Sequence, residues 1–382
     1  MSKKQLGQFF TTNSDYILQG LKKYIKDKEV TDPFAGGGDL INWAKRSGAK
    51  SARGYDIDKQ YINDCQIFYG DSINNPQKYK FVLTNPPYLH KNKADKETKE
   101  KYFCKEFEDL YQISLNSIMN SEEGIVIVPI NFLSAENSKK IRNTFFSEFK
   151  IVKMNYFKQQ VFPDTTYNVI AFYYKKKSKA EADSFVIKTH IFPEKKTIQI
   201  KLHKNFDWTI GGEVLGAIKN QKNILGVYRL TKNETLGEDA KIEIEVAFNH
   251  IKNREKIKVS KNFHDLIQSN IILLKAIDSG TQKGKIALEN IKGYDLECLI
   301  SKPSSRNMVY LIFRDPISVD EQEKLIKLFN KELNKLRDDY LSLFLTNFRD
   351  NDRKRLSFDF AYKFLNYLYF NQLNKRQEVM QF

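Results

Sequence analysis

The segment Phe81-Val82-Leu83-Thr84-Asn85-Pro86-Pro87-Tyr88 has the pattern of a buried strand followed by a stiff turn. The two prolines lack an N–H group and fix φ, so the turn presents carbonyl oxygens and the Asn85 amide oxygen instead of donors. Such a row of acceptors fits a planar –NH₂ group, and Tyr88 can cover the ring that carries it. A Pro-Pro turn with a packed tyrosine is the purely structural alternative.

A glycine-rich turn lies upstream, in Thr31-Asp32-Pro33-Phe34-Ala35-Gly36-Gly37-Gly38-Asp39-Leu40. It follows a predicted strand and precedes a predicted helix, and its glycines allow positive φ and close approach of a ligand to the backbone. The spacing differs from the dinucleotide fingerprint, and no Gly-Lys-Ser/Thr is present to hold a triphosphate. Taken alone, the turn also fits a tight connection without a ligand.

Two acids follow at the ends of the next predicted strands, in Gly54-Tyr55-Asp56-Ile57-Asp58 and Gly70-Asp71-Ser72. Folds of this kind place a carboxylate at the end of the second strand, where it accepts hydrogen bonds from ribose hydroxyls. We therefore expect Asp56 to bind a ribose and Asp71 to bind an adenine amine. Either acid alone could simply cap a helix, but their shared order favours a cofactor with an adenosine group.

The chain predicts two domains, one over residues 1–180 and one over residues 181–382. In the first, short apolar runs alternate with helical stretches, which is typical of an α/β domain with a largely parallel sheet. In the second, strands and helices are mixed, and Ser318 and Glu321 form a capping box that begins a helix. Its apolar stripe is Leu325, Phe329, Leu333, Leu336, Tyr340 and Leu343. The predicted strands of the first domain are 29–31, 52–55, 80–83, 124–128, 152–156 and 168–174, and the lysine-rich run 175–181 closes it.

Composition narrows the partners and the compartment. Lysine and arginine outnumber aspartate and glutamate by 63 to 47, giving a net charge of +16, which favours nucleic acid as the partner. The three cysteines lie far apart in the sequence, which excludes a disulfide framework and predicts a cytoplasmic protein. The sequence has no apolar run long enough to predict a membrane span. The five histidines show no metal-ligand spacing, so no metal is predicted.

Together these motifs resemble the S-adenosylmethionine-dependent DNA N6-adenine methyltransferases of the gamma arrangement, which are typical of restriction-modification systems. The resemblance covers about the first 175 residues and begins with Gly7-Gln8-Phe9-Phe10-Thr11-Thr12, which looks like the family's amino-terminal cofactor segment. It implies a Rossmann-like methyltransferase domain followed by a mixed α+β target-recognition domain. It also implies S-adenosylmethionine as cofactor, double-stranded DNA and a cognate restriction endonuclease as partners, and a monomer on DNA.

The resemblance assigns roles to individual residues. The catalytic residues are Asn85, Pro86, Pro87 and Tyr88, and Tyr88 and Phe162 sandwich a flipped adenine. The Asn85 side-chain oxygen and the Pro86 carbonyl accept the two amine protons. Val128–Leu133 and Val161–Asp164 look like later family motifs. The predicted cofactor-binding residues are Phe9, Thr11, Asp32, Ala35, Gly36, Gly38, Asp56, Ile57, Asp71 and Ser72.

Other interpretations stay open at this point. RNA adenine methylation suits the charge and the base flipping equally well. Methyltransferases of glutamine side chains share the Asn-Pro-Pro-Tyr turn but usually carry a helical domain ahead of it, and N4-cytosine enzymes usually have serine in place of Asn85. A nucleic-acid-binding module without activity would lack the acceptor turn or the acids. For DNA contact, the basic or polar candidates are Leu89–Lys96, Ser304–Asn307 and Arg349–Arg355.

Overall fold

A computed structural model describes the chain at residues 9–63, 65–103, 106–163, 168–222, 224–232, 240–278, 285–340, 345–347 and 354–373. The chain divides into two compact units. The first comprises Met1–Gly212 with Asn347–Asp352, and the second comprises Glu213–Thr346 with Arg353–Phe382.

The first unit is built on a nine-stranded sheet with the order β3-β2-β1-β4-β5-β7-β6-β8-β9. Strands β3, β2, β1, β4 and β5 run parallel, β7 is antiparallel to β5 and to β6, β8 is parallel to β6, and β9 is antiparallel to β8. All six predicted strands are present, and the predicted α/β class is confirmed. The strands are β1 Glu29–Asp32, β2 Ser51–Asp56, β3 Ile67–Tyr69, β4 Tyr79–Thr84, β5 Ser121–Pro129, β6 Phe149–Phe157, β7 Val169–Lys176, β8 Ser184–Phe192 and β9 Lys196–His203.

The helices of this unit are short, and they pack on the sheet through apolar faces. In the helix that follows the glycine-rich turn, Leu40, Ile41, Trp43 and Ala44 are buried while the polar residues face outward. The helices are α1 Ser14–Ile17, α2 Asp39–Arg46, α3 Lys96–Tyr102, α4 Leu110–Ser117, α5 Asn131–Ser134 and α6 Lys139–Glu148. Single 3₁₀ turns lie at Lys22–Tyr24, Lys59–Tyr61, Lys91–Lys93, Glu136–Ser138, Lys179–Glu181 and Lys204–Phe206.

The strand order reverses direction between β1 and β4. Chain connections leave these two neighbouring strands toward opposite sides, which opens a crevice beyond their carboxyl ends. The glycine-rich turn follows β1 and the Asn85–Tyr88 turn follows β4. The topology therefore brings the two strongest sequence motifs to the same edge of the sheet.

The sheet of the first unit continues past the boundary that the sequence suggested. The run 175–181 forms the connection between β7 and β8, where Ser178 and Glu181 make a capping box, and β8 and β9 add two further strands. The sequence-based boundary at residue 180 thus falls inside the first compact unit, which extends to Gly212. A run of lysines signals solvent exposure, and a connection between edge strands is as exposed as a linker.

The second unit contains a four-stranded sheet with apolar cores on both faces. Along its central strand, Val309 and Leu311 face one core, and Tyr310 and Ile312 face the other, as expected from the alternation of side chains on a strand. The four-stranded order is β10-β16-β13-β14, a second sheet has the order β12-β11-β15, and β17 pairs with β18. The strands are β10 Val227–Arg229, β11 Ile242–Phe248, β12 Arg254–Val259, β13 Ile272–Lys275, β14 Ala287–Asn290, β15 Cys298–Ile300, β16 Met308–Phe313, β17 Leu345–Asn347 and β18 Lys354–Leu356.

The predicted helix of the second unit is confirmed. The side chain of Ser318 caps it and Glu321 completes the capping box, and the stripe from Leu325 to Leu336 is buried. Tyr340 is its C-cap residue, and Leu343 lies outside the described residues. The helices of this unit are α7 Gly212–Lys219, α8 Lys261–Gln268, α9 Val319–Asp339 and α10 Phe358–Leu368, with a 3₁₀ turn at Ile291–Tyr294 and a π turn at Tyr369–Leu373. None of the helices in the described parts of the chain is long and apolar enough to span a lipid bilayer.

Candidate active site

An open cavity lies at the carboxyl edge of the parallel strands in the first unit, with about 810 Å³ of empty space when the open solvent at its mouth is included. Among the predicted cofactor-binding residues, its wall contains Phe9, Thr11, Asp32, Ala35, Gly36, Asp56, Ile57, Asp71 and Ser72. Gly38 is the one predicted member that does not line it. Among the predicted catalytic residues, the wall contains Asn85 and Pro87. The fold thus brings residues from five separate segments of sequence to one cavity.

Glycine is required both within the glycine-rich turn and in the strand that packs against it, for two different reasons. Gly36 and Gly38 have φ of 48° and 84°, in the left-handed region that side chains rarely adopt, and Gly38 is the N-cap residue of α2. Across the turn, the backbone N–H of Ala35 donates to the Tyr55 carbonyl at 2.9 Å, and a Cβ on Gly54 would lie only 2.5 Å from the Ala35 Cβ. Gly54 therefore allows β2 to pack closely against the turn.

Asp32 ends β1 and is 1% exposed. Its Oδ1 atom accepts hydrogen bonds from the Thr84 hydroxyl at 2.7 Å and from the Phe34 backbone N–H at 3.0 Å. The pKa of Asp32 is raised to about 7, mainly by burial and in smaller part by the nearby Asp56 carboxylate, while both hydrogen bonds act to lower it. Because Thr84 ends β4, this carboxyl group ties the two strands together at the point where the strand order reverses.

Asp56 ends β2 and its carboxylate spans the turn. One oxygen accepts from the Gly36 backbone N–H and the other from the Asp58 backbone N–H, both at 2.8 Å. Burial is the main cause of a raised pKa, which these two bonds partly offset. A carboxylate has about four acceptor positions, so these bonds leave capacity for a ligand in the cavity. That geometry is compatible with the predicted ribose contact.

Asp71 follows β3 and is held by several donors. Burial alone would raise its pKa, but hydrogen bonds from Asn74 and the ammonium group of Lys101 lower it, so the group is ionised at neutral pH. The Lys101 Nζ atom lies 3.3 Å away, and the Tyr102 hydroxyl donates at 3.2 Å. The predicted adenine contact would share this carboxylate with those donors.

Asn85 lies in the cavity wall with its amide held at both ends. The Nδ2 atom donates to the Phe9 carbonyl at 2.8 Å and to the Thr11 hydroxyl at 3.1 Å. The Tyr88 hydroxyl donates to the Asn85 Oδ1 atom at 2.7 Å and lies 3.1 Å from the Ile127 carbonyl. Burial holds the pKa of Tyr88 well above its ordinary value, so the phenol stays protonated as a donor.

The two aromatic residues predicted to sandwich a base are buried. Tyr88 is 4% exposed and Phe162 is 2% exposed, and neither lines the cavity. Both contact the ring of Phe9, with centroid separations of 5.1 Å to Tyr88 and 5.9 Å to Phe162. Tyr88 is linked to the cavity wall through its hydrogen bond to Asn85 and its ring contact with Phe9. Pro86 is also buried and lies outside the wall.

Several cavity residues were missed by the sequence analysis. Tyr102 contacts Asp71 across 31 positions of sequence, and no local pattern predicts that contact. Phe10 had a signal because it lies inside the amino-terminal segment, and its ring lies 3.4 Å from the Cβ position of Gly36. The further wall residues are Pro33, Phe34, Asp39, Leu40, Gly70, Ile73 and Leu110.

The three segments predicted to contact DNA differ in their structure. Leu89–Lys96 is anchored, because Leu89 and Ala94 are buried while Lys91 and Lys93 are exposed. In Ser304–Asn307, Arg306 is exposed. Most of Arg349–Arg355 lies outside the described residues, and its last member, Arg355, is half-buried. Gly7, Gln8 and Asp164 of the predicted motifs also lie outside the described residues.

The segment that forms the cavity is similar to a known protein family. Residues 7–162 match the model of the Eco57I restriction-modification methylase family. This match runs from the amino-terminal segment through the glycine-rich turn, Asp56, Asp71 and the Asn85–Tyr88 turn to Phe162. The resemblance found in the sequence is confirmed at the level of this methylase family over these residues. The gamma arrangement and the specificity for adenine N6 stay predictions.

Similar solved structures include three from restriction or restriction-modification systems. One is the M protein of the type I restriction enzyme EcoKI, with 16% identity, a TM-score of 0.35 and coverage of 48% of each chain. A second is the type IIG restriction endonuclease BpuSI, with 13% identity, a TM-score of 0.43 and coverage of 63% of this chain and 38% of that chain. A third is a type I methyltransferase subunit from Streptococcus thermophilus, with 15% identity, a TM-score of 0.35 and coverage of 59% of this chain and 55% of that chain. The chain thus spans about half the length of these structures or less. No curated protein sequence matches the chain at a significant level.

Proposed function

We propose that this protein is a DNA adenine-N6 methyltransferase. It would transfer a methyl group from S-adenosylmethionine to the exocyclic amine of an adenine flipped out of double-stranded DNA. The proposal includes a biological role as the modification enzyme of a restriction-modification system, with a cognate endonuclease as a partner. Its monomeric state on DNA and the target-recognition role of the second unit belong to the same proposal.

One observation carries the proposal. The Asn85 amide, which belongs to a proline-stiffened turn, lines the same cavity as the glycine-rich turn and the carboxylate of Asp56. The proline-stiffened turn supplies acceptors for an amine, and the glycine-rich turn supplies a surface that can bind an adenosine group. A site for an amine directly beside a site for an adenosine-containing methyl donor is what methylation of an exocyclic nitrogen requires.

The residues present fit S-adenosylmethionine. When bound, the cofactor supplies a methyl group on a positively charged sulfur. Asp56 would hold its ribose hydroxyls with the acceptor positions left beside its two backbone donors, and Ile57 and Phe10 would contribute apolar surface. Gly36 has a φ of 48° and no side chain, so a ligand can approach the backbone of the turn closely.

The target amine would be activated by acceptors rather than by a strong base. The lone pair of an adenine amine is delocalised into the ring, which makes the nitrogen a poor nucleophile. Hydrogen bonds accepted by the Asn85 Oδ1 atom and the Pro86 carbonyl favour the pyramidal nitrogen, whose lone pair is available for attack. The same bonds stabilise the positive charge that develops on the nitrogen, and such interactions grow stronger toward the transition state.

Entry of the base requires a local rearrangement. Tyr88 and Phe162 would cover the two faces of the flipped adenine, but in this structure both rings contact Phe9. The Phe9 ring must therefore move before the base can reach Asn85. Extrusion costs a few kcal/mol, and stacking worth about 1–3 kcal/mol per aromatic contact offsets much of it.

A basic surface on the second unit supports nucleic acid as the substrate. Arg229 donates to the carbonyls of Pro303 and Ser305, at 2.5 and 3.2 Å, and so holds the segment that ends at Arg306. Arg306 also lowers the pKa of Arg355, after burial, because the two cations lie near each other. Within the described residues, no carboxylate forms an ion pair with any of these three arginines. The guanidinium of Arg229 lies over the ring of the half-buried Phe358, with 5.4 Å between the Arg229 Cζ atom and the ring centroid.

The choice of DNA over RNA rests on the match of residues 7–162 to the Eco57I restriction-modification methylase family. The test is incubation with tritiated S-adenosylmethionine and separate samples of duplex DNA, RNA and protein, followed by nucleoside and amino-acid analysis. We expect label in N6-methyladenine from duplex DNA. Label only in RNA, in glutamine or in N4-methylcytosine, or no transfer to any sample, would contradict the proposal.

Asn85→Ala provides the matched inactive variant for this assay. It removes the amide oxygen, and with it the amide bonds to Phe9 and Thr11, while the glycine-rich turn and Asp56 stay in place. We therefore expect methyl transfer to fall at least about 100-fold. Calorimetric titration should show that the variant still binds S-adenosylmethionine. Turnover at the wild-type rate would remove Asn85 from the proposed mechanism.

A further inference from the structure

The amide of Asn85 is oriented by the amino-terminal segment, 74–76 positions away in sequence. Its Nδ2 atom has two hydrogens, and the Phe9 carbonyl and the Thr11 hydroxyl accept them at 2.8 and 3.1 Å. Thr11 is 3% exposed, so its hydroxyl is fixed in a buried position and is not a solvent-facing group. The two acceptors come from neighbouring residues of one short segment ahead of α1.

This arrangement decides which end of the amide faces a substrate. The oxygen and nitrogen of an asparagine amide are nearly the same size, and only their hydrogen-bond partners select between the two flipped orientations. If the amide flipped, the Oδ1 atom would face the Phe9 carbonyl, and the two acceptors would repel each other. The Nδ2 atom would then take the place where the mechanism needs an acceptor. The segment therefore keeps the oxygen in the useful position.

We propose that Thr11 is a positioning residue for methyl transfer, acting through Asn85. This inference rests on the proposed function and adds a role that differs from direct cofactor binding, the role that the sequence analysis gave to Thr11. The hydroxyl accepts one amide hydrogen, and the Phe9 carbonyl accepts the other. With both in place, the Oδ1 atom keeps one acceptor position for the Tyr88 hydroxyl and one for the substrate amine.

Two variants separate these roles. Thr11→Val keeps the size and the methyl group but removes the acceptor, and Thr11→Ser keeps the hydroxyl. With saturating cofactor, we expect the single-turnover rate of Thr11→Val to fall about five- to tenfold, as for the loss of one net hydrogen bond. The dissociation constant for S-adenosylmethionine should stay within about twofold of wild type, and Thr11→Ser should regain most of the rate.

An inverse pattern would overturn the inference. If Thr11→Val weakened cofactor binding but kept the wild-type single-turnover rate, the hydroxyl would be a cofactor ligand and not a positioning group. A serine variant as slow as the valine variant would also contradict it, because the hydroxyl alone is the group at issue.

A measurement without turnover distinguishes this inference from the proposed function. In protein labelled with ¹⁵N-asparagine, the side-chain NH₂ signal of Asn85 is assigned by its loss in Asn85→Ala. Its hydrogens should exchange with solvent several-fold faster in Thr11→Val than in wild type, because one acceptor is gone. Equal exchange rates would refute the role of Thr11 even if the enzyme methylates DNA. Faster exchange in a protein that methylates nothing would leave the anchoring in place and refute the proposed function.

Discussion

Replacing Gly54 by alanine tests whether the packing of β2 on the glycine-rich turn sets the shape of the cavity. A Cβ at this position would lie 2.5 Å from the Ala35 Cβ, 2.7 Å from the Ile41 Cδ1 atom and 3.2 Å from the Asp32 carbonyl oxygen. Carbon atoms in contact are normally about 3.5–4.0 Å apart. The turn must therefore retreat from β2 by about 1 Å.

The cost of this retreat follows from what the turn is attached to. The terminal methyl of Ile41 can rotate away, but the Cβ of Ala35 moves only with the backbone. A backbone shift stretches the bond from the Ala35 N–H to the Tyr55 carbonyl and the bond from the Gly36 N–H to Asp56. Overpacking of this kind costs about 1–3 kcal/mol. If the shift of Asp56 weakens its contact with a ribose by a free energy near the lower end of this range, the affinity for S-adenosylmethionine falls about tenfold.

Gly293→Ala is the matched control, because a Cβ at that position would have no atom within 4 Å. Urea unfolding and calorimetric titration of S-adenosylmethionine are measured on both variants. We expect Gly54→Ala to lose stability and cofactor affinity, and Gly293→Ala to stay within about 0.5 kcal/mol of wild type. If Gly54→Ala matched the control in both measurements, the close approach of β2 would have no part in shaping the cavity.

Two further predictions concern charge. Because burial raises the pKa of Asp32 to about 7, the folded state holds a proton that the unfolded chain releases near pH 4, so stability should fall as pH rises from about 4 to 7. Asp32→Asn should flatten that part of the urea-unfolding profile, and an unchanged slope would contradict the raised pKa. On the second unit, Arg306→Ala combined with Arg355→Ala should weaken DNA binding evenly across sequences and reduce the slope of log Kd against log salt by about 2. Arg254→Ala, whose guanidinium already lies 3.6 Å from Glu245, is the control, and equal slopes in both proteins would exclude the arginine pair from the interface.

The parts of the site that follow directly after strands could be predicted from sequence. Asp32, Asp56 and Asn85 each lie at or just beyond the end of a predicted parallel strand. Asp71 is expected at a strand end, and it follows β3, whose residues are not among the six predicted strands. Parallel strands end at the same edge of a sheet, so a local pattern of strand and turn is enough to place such residues together. The cavity wall contains all four of them.

The contacts that orient these residues could not be predicted, because they join distant segments. The bonds from Asn85 to Phe9 and Thr11 span 76 and 74 positions, and the bond from Tyr102 to Asp71 spans 31. Such pairs depend on how loops pack above the sheet, and the hydrophobic periodicity of the sequence does not predict this packing.

In the second unit, too, contacts between distant segments could not be predicted from the sequence. Arg306 and Arg355 belong to clusters that the sequence analysis singled out, but Arg229 was missed. Arg229 lies in β10, a short strand with no basic neighbours within it, and its contacts to Pro303 and Ser305 arise only from the fold. The distribution of charged residues along the sequence therefore indicates the net electrostatic field of the protein. It does not predict a basic surface that arginines from separate segments form together.

The burial of Tyr88 and the anchoring of Asn85 are compatible with base entry if Phe9 is the residue that moves. The Tyr88 hydroxyl lies between Asn85 and the Ile127 carbonyl of β5, so moving its ring would break contacts that position the amide. Phe9 instead holds Asn85 through its backbone carbonyl. Its ring can turn about the Cα–Cβ bond while that carbonyl stays in place. We therefore expect the base to displace only the Phe9 ring and to find the Asn85 oxygen already oriented. A complex with duplex DNA in which a flipped adenine reaches Asn85 while Phe9 still packs on both Tyr88 and Phe162 would contradict this account.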